Sequence, residues 1–196
     1  MLSAPATPAA VIQSAGAGAF CAGADLKELS QAAPESALDL RSQRVFDALA
    51  RAPFVSVAAV HGPAVAGGFE LALACDARIA GPAARFWLPE TDMGLIPSAG
   101  GTTRLARLVG AARAKEVILF GRRLSAADAL AWGLVAEIAD DPRAVAAAWA
   151  RRAAERGAVA QRLAKQILDA ALPTEPGLRE ERVAEALLYS LRRSRE

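Results

Sequence analysis

Two glutamates stand where a side chain could act as acid or base. Glu70 lies in GGFELALAC (residues 67–75), an Ala/Leu-rich run of high helical propensity. Glu90 follows Pro89 in a turn-forming segment, PETD. Two carboxyl groups on different elements, brought to one water molecule, can divide a pair of proton transfers, one accepting and one supplying. The glycines around them offer the complementary half of such chemistry. HGPAVAGG (residues 61–68) has the composition of a turn that brings bare backbone close to a ligand. A helix starting at Gly67 points free N–H groups and the positive end of its dipole into that turn, which suits an anionic oxygen. A second glycine turn, CAGAD (residues 21–25), also leads into a helical pattern, with Asp25 and Glu28 near its start. The N–H groups around Gly23-Ala24 and Gly67-Gly68 can thus reach one oxygen together, the design of an oxyanion hole.

The elements that must position these groups are readable in outline. FVSVAAV (residues 54–60) is a short valine-rich apolar run, expected as a buried strand, and residues 9–13 form another strand candidate. Residues 34–51 carry Leu38, Val45, Phe46 and Leu49 at helical spacing, a helix expected to cover the sheet. Residues 77–80 and 85–88 read as short strands, residues 105–119 as one helix, and residues 134–138 as a last strand. Ser125, with Asp128 three residues on, is a helix-start signature, and Gly133 ends that helix. Residues 142–196 are helical, broken near Gly157 and at residues 173–177.

Composition narrows the function class. A chain of 196 residues with 54% apolar and 22% charged residues is ordinary for a globular domain. The net charge of +2 and the scattered arginines, clustered only at Arg192, Arg193 and Arg195, give no nucleic-acid patch. Cys21 and Cys75 have no CxxC spacing or histidine partner, so neither a metal site nor a disulfide framework is expected, and a reducing cytoplasm fits. No run reaches membrane-spanning length and no secretory signal opens the chain. The glycine-rich loop GLIPSAGGTTR (residues 94–104) lacks the spacing of nucleotide-binding loops. His61 reads as a turn residue, Cys21 as a packed side chain, and Ser98, outside any GxSxG setting, as a loop former.

Four segments in this order and spacing carry a family resemblance: AFCAGADLKEL (19–29), AAVHGPAVAGGFELALACDARIA (58–80), LPETDMGLIPSAGGTTRLARLVG (88–110) and GRRLSAADALAWGLV (121–135). Through them the chain resembles the crotonase superfamily, the enoyl-CoA hydratase/isomerase family. The resemblance implies an α/β fold, a spiral of repeated ββα units over residues 1–135, followed by a C-terminal helical trimerisation region over residues 136–196. It implies an enoyl-CoA hydratase that adds water to a 2-trans-enoyl-CoA, with Glu70 and Glu90 as the acid/base pair. Glu70 is assigned to the water and Glu90 to the proton at C2, a split that stays open because neighbouring carboxylates titrate together. The N–H groups of Ala24 and Gly67 would form the oxyanion hole, Ala22 and Ala24 would contact the CoA adenine, and Lys27 its phosphates. The implied partners are acyl-CoA and further copies of the chain, as a homotrimer or a dimer of trimers, with no nucleic acid and no membrane. Coenzyme A is part of the substrate, so no cofactor and no metal are called for.

The chain departs from the family pattern at three places. The NRPxxxNAL loop expected ahead of residue 9 is missing, so the fold is expected to be N-terminally shortened, with strand 9–13 at a sheet edge. The sequence stops soon after Tyr189, where family members continue into a last helix near the CoA pocket. Trp87 replaces a glycine usual in the FGxPE pattern, beside Glu90. The alternatives to a hydratase are an enoyl-CoA isomerase or other crotonase-type acyl-CoA enzyme, and a catalytically silent truncated paralogue.

Overall fold

A computed structural model describes residues 9–25, 40–171 and 175–193. In chain order its elements are β1 (Ala9–Gln13), α1 (Arg41–Ala50), β2 (Val55–Val60), β3 (Pro63–Val65), α2 (Gly67–Leu73), β4 (Ala77–Ala80) and β5 (Arg85–Trp87). A single 3-10 turn (Glu90–Met93) follows, then α3 (Gly101–Val109), α4 (Ala111–Leu119), β6 (Leu124–Ser125) and α5 (Ala126–Ala131). The chain continues through β7 (Glu137–Ile138), α6 (Pro142–Ala154), α7 (Ala158–Ala171) and α8 (Glu175–Arg193).

The apolar run of β2 is continuous because both of its faces are covered. Its neighbours are parallel, in the order β1-β2-β4-β7, so β1 closes one end of the sheet among the described residues, as its expected edge position requires. Side chains alternate across a strand. Val57 and Ala59 therefore meet Ala146, Val145 and Trp149 of α6, together with Ile79. Ala58 and Val60 face the other way, into a larger core with Phe69, Phe86, Leu105, Leu124 and Leu134. A second sheet, β3-β5-β6, pairs β3 with β5 in parallel and β5 with β6 antiparallel. Strand β3 lies inside the glycine-rich segment read from sequence as a turn, and Cys21 forms an isolated bridge to its Ala64.

The helix expected over residues 105–119 is two helices. It begins earlier, at Gly101, and breaks at Gly110, whose φ of +83° and ψ of 156° no helix passes through. Helix α1 also differs from its expected role: Val45 is 55% exposed, whereas Gln43 is buried at 1%. The amide of Gln43 donates to the carbonyls of Ser98 (2.6 Å) and Leu178 (3.0 Å), which makes burial of a polar group there tolerable. The expected last strand over 134–138 is shortened to β7. The predicted cap at Ser125 forms a reciprocal pair, its hydroxyl accepting from the Asp128 N–H while the Asp128 carboxylate accepts from the Ser125 N–H. Residues 26–39 and 172–174 lie outside the described residues, so the first part of the helix expected from 34, with Leu38, and the start expected around Glu28 are not part of this description. Among the described residues no helix is long and apolar enough to cross a membrane.

Candidate active site

Glu70 enters the site because α2 begins where it does. Ahead of the helix, Ala66 has φ +51° and ψ −128°, a conformation that costs a non-glycine residue roughly 1–3 kcal/mol. It is held there from both sides. The Ala66 N–H donates to the Trp87 carbonyl (3.1 Å), and the Ala66 carbonyl accepts from the N–H groups of Phe69 (2.9 Å) and Glu70 (3.0 Å). One turn on, Glu70 is buried, and its Oε1 accepts from the N–H groups of Ala99 (2.7 Å) and Gly101 (2.8 Å) at the start of α3. Its Oε2 turns toward Gly67: a methyl group placed on Gly67 would lie 4.0 Å from that oxygen and 3.7 Å from the Gly23 Cα.

The two glycine turns meet through strand pairing. Phe20 and Cys21 donate to the Pro63 carbonyl (2.8 and 3.3 Å), and Val65 donates to the Cys21 carbonyl (3.0 Å). This ladder places Gly23, at φ +88°, against Ala66 and Gly67, with its missing Cβ position only 3.2 Å from the Gly67 nitrogen. A Cβ at residue 68 would come 2.1 Å from the Cys21 carbonyl oxygen, so the approach depends on Gly68 having no side chain. Ala22 and Ala24 are exposed and Gly67 is half-buried. Lys27 lies outside the described residues.

Glu90 is the first residue of the 3-10 turn and is also buried. Its carbonyl accepts from the Leu95 N–H (3.0 Å), while its Oε2 is buried without a hydrogen-bond partner. Burial pushes the Glu70 carboxyl up to about 8, the charge of Glu90 adds to this, the Gly101 and Ala99 N–H groups pull it down, and Glu181 raises it further. Burial pushes Glu90 up to about 7, with its own main-chain N–H opposing and the charge of Glu185 adding. The structure thus sets Glu70 beside Gly67, with Gly23 of the turn that carries Ala24 against them, and puts Glu90 within electrostatic reach of Glu70.

Other predicted residues fall elsewhere. Burial pushes the Cys75 thiol up to about 12, the setting of an inert packed cysteine. Both ring nitrogens of His61 are buried without a hydrogen-bond partner. Trp87 is half-buried, with the Arg123 guanidinium 5.1 Å from its ring. Sequence reasoning missed the N–H pair of Ala99 and Gly101 and the two buried glutamates of α8, Glu181 and Glu185. Their local signal is the PSAGGTT run, whose glycines and hydroxyls read as a loop.

The enoyl-CoA hydratase/isomerase family profile matches residues 3–195. The chain is 42% identical over 168 residues to a protein named probable enoyl-CoA hydratase 2, mitochondrial, of Arabidopsis thaliana, a match covering 84% of this chain and 56% of the relative. It is 52% identical over 121 residues to enoyl-CoA hydratase domain-containing protein 2, mitochondrial, of Bos taurus, covering 60% of this chain and 40% of that one. The chain therefore spans about half the length of these relatives. Among solved structures, an enoyl-CoA hydratase/isomerase from Mycobacterium paratuberculosis superposes with a TM-score of 0.85 at 32% identity, covering 94% of this chain and 76% of the other.

Proposed function

Because the chain belongs to the enoyl-CoA hydratase/isomerase family and shares its crotonase fold, we propose that it adds water across the 2,3 double bond of a trans-2-enoyl-CoA. The observation that carries this reading is the pair of buried carboxyl groups, Glu70 beside the junction of the two glycine turns and Glu90 within electrostatic reach of Glu70. Hydration needs one carboxylate and one carboxylic acid at the same moment. Groups raised to about 8 and about 7 hold one proton between them close to neutrality, and the order of the values rests it on Glu70; the form that reacts is the other one, with that shared proton on Glu90. In the proposed reaction the thioester oxygen lies between the N–H groups of Ala24 and Gly67, each contributing roughly 3 kcal/mol as charge builds there. Glu70 takes a proton from water, the water oxygen bonds to C3, the C2–C3 π pair moves to C2 through the thioester, and C2 receives the proton of Glu90. Moving a double bond requires only one group to remove and return a proton, so two buried carboxyls favour hydration over isomerisation.

The rest of the reading concerns binding and assembly. The backbone at Ala22 and Ala24 takes the adenine of CoA, which the exposure of both residues supports, and Lys27 takes its phosphates. Coenzyme A arrives as part of the substrate, and the proposed steps call on no cofactor or metal. The chain associates as a trimer or a dimer of trimers through its C-terminal helices. An exposed stripe at four-residue spacing on α7, Val159, Leu163 and Ile167, supports this, as do the exposed Val183 and Leu187 of α8. A cytoplasmic location goes with the two free thiols. Incubation with a trans-2-enoyl-CoA in 18O-labelled water tests the reaction class. A 3-hydroxyacyl-CoA carrying the label is expected; an unlabelled product with a shifted double bond would instead establish an isomerase.

A further inference from the structure

The segment from Glu90 to Arg104 carries one glutamate of the site at its start and grips the other near its end, and α8 lies along it. Five donors converge on the buried carboxylate of Glu181 from α8. Its Oε2 accepts from the Gly100 N–H (2.8 Å) and the Gln43 amide (3.3 Å). Its Oε1 accepts from the Thr103 N–H (3.0 Å), the Thr103 hydroxyl (2.9 Å) and the Thr102 hydroxyl. Glu70 takes the alternate N–H groups of the same stretch, those of Ala99 and Gly101. The two carboxylates therefore share one start of a helix, residue by residue, from opposite sides. Further holds close the frame: Arg104 donates to the Ala99 carbonyl (2.9 Å), Gln43 to the Ser98 carbonyl (2.6 Å), and Ile96 to the Glu185 carboxylate (3.2 Å).

A carboxyl group held by two N–H groups is only as well placed as those groups are. Without Glu181, four donors among residues 100–103 lose their acceptor in a buried or partly buried setting, a loss that costs about 1–3 kcal/mol for each buried group left unpaired. The stretch relieves it by turning toward water or other acceptors, which moves Ala99 and Gly101. We propose that Glu181 is a positioning residue of this site: by fixing residues 100–103 it aims the N–H pair that holds Glu70 against the reacting water. Its kinetic consequence rests on the hydratase reading above. A displacement of about 1 Å at a catalytic group can cost on the order of 100-fold in rate. Charged groups facing Glu70 in this frame are Glu90 from the 3-10 turn, Glu181 from α8 and Arg104 from α3.

The test is Glu181→Gln, which keeps the shape but leaves one acceptor oxygen where there were two. Amide hydrogen exchange is read at residues 99–103 in parent and variant, with β2 as internal reference. Exchange at Ala99 and Gly101, which Glu181 does not touch, is expected to rise about tenfold or more while β2 is unchanged. A rise confined to Gly100 and Thr103 would overturn the proposal. If exchange rises everywhere the variant has lost its fold. Thr103→Val, which removes one donor and leaves the carboxylate, then decides by the same comparison at Ala99 and Gly101. In turnover, Glu181→Gln is expected to lower kcat roughly 10- to 100-fold with KM within about threefold, and to add less than about threefold in a Glu70→Gln background. Equal losses in both backgrounds would mean a general structural role and overturn it. A parent chain without hydration activity would count against the hydratase reading alone, since the exchange comparison does not depend on turnover.

Discussion

Burial makes the ionised forms of Glu70 and Glu90 costly, a cost that the fold bears as pH rises. Glu70 stands at about 8 against an ordinary 4.5 because it is buried. The folded chain therefore keeps a proton that the unfolded chain releases. The associated stability is fully present below about 4.5 and is lost as pH rises through about 8. Glu70→Gln mimics the protonated form and escapes that loss. We expect the variant to match the parent near pH 4.5 and to melt several degrees higher at pH 9, on the order of 1–3 kcal/mol. Calorimetry at the two pH values checks this, and equal melting temperatures at pH 9 would contradict it. The same pair predicts a bell for kcat/KM: activity falls below about 7 as both carboxyls protonate and above about 8 as both ionise. A rate flat between pH 5 and 10 would remove these glutamates from the proton transfers.

At the scale of elements, two contacts assemble the site and each makes a prediction. The approach of the Phe20–Cys21 segment to α2 leaves no room at Gly68, where a Cβ would lie 2.1 Å from a backbone oxygen. Gly68→Ala should cost about 1–3 kcal/mol by overpacking and lower activity far more than stability, because it separates the two turns. Urea unfolding beside turnover tests it; unaltered turnover would show that the turns need not meet. Arg78 ties the end of α2 to the run before β7, donating to the carbonyls of Cys75 (2.6 Å), Leu134 (2.6 Å) and Ala72 (3.3 Å). Arg78→Ala removes all three bonds, leaves the buried Leu134 and Cys75 carbonyls without this donor while Ala72 keeps the Cys75 N–H, and should cost roughly 3 kcal/mol or more in urea. Much at this scale was legible in sequence: the valine-rich run of β2, the glycine start of α2 and the cap at Ser125 carry local signals. Strand β3 was not, because its partners Cys21 and Arg85–Trp87 are remote in sequence and its own three residues look like turn. The break at Gly110 was missed for the opposite reason, an apolar period that continues across it. Glu70 and Glu90 could be found as residue types in a motif. The hydrogen-bond frame from Gln43 and Glu181 depends on contacts spanning more than fifty positions, which no local pattern encodes.

For the whole molecule, the helices that follow the sheet leave apolar side chains outward on α7 and α8, among them Ile167 (69% exposed) and Leu187 (60%). Such stripes mark an association face. The proposed trimer should be seen in sedimentation, and Ile167→Glu should shift it to monomer with helical content unchanged; a parent that sediments as a monomer would contradict the assembly. The expectation of a spiral core agrees with the superposition on the solved hydratase/isomerase, and two sheets joined through residues 61–65 are what bring distant turns to one place. The central claim is that this chain performs hydration with its two glutamates. Its most direct measurement is the loss of conjugated-thioester absorbance of a short trans-2-enoyl-CoA on addition of the purified 196-residue chain, beside Glu70→Gln and Glu90→Gln. The account predicts turnover by the parent and a fall of roughly 100-fold or more in each variant. A folded parent without turnover, or variants that hydrate at the parental rate, would contradict it.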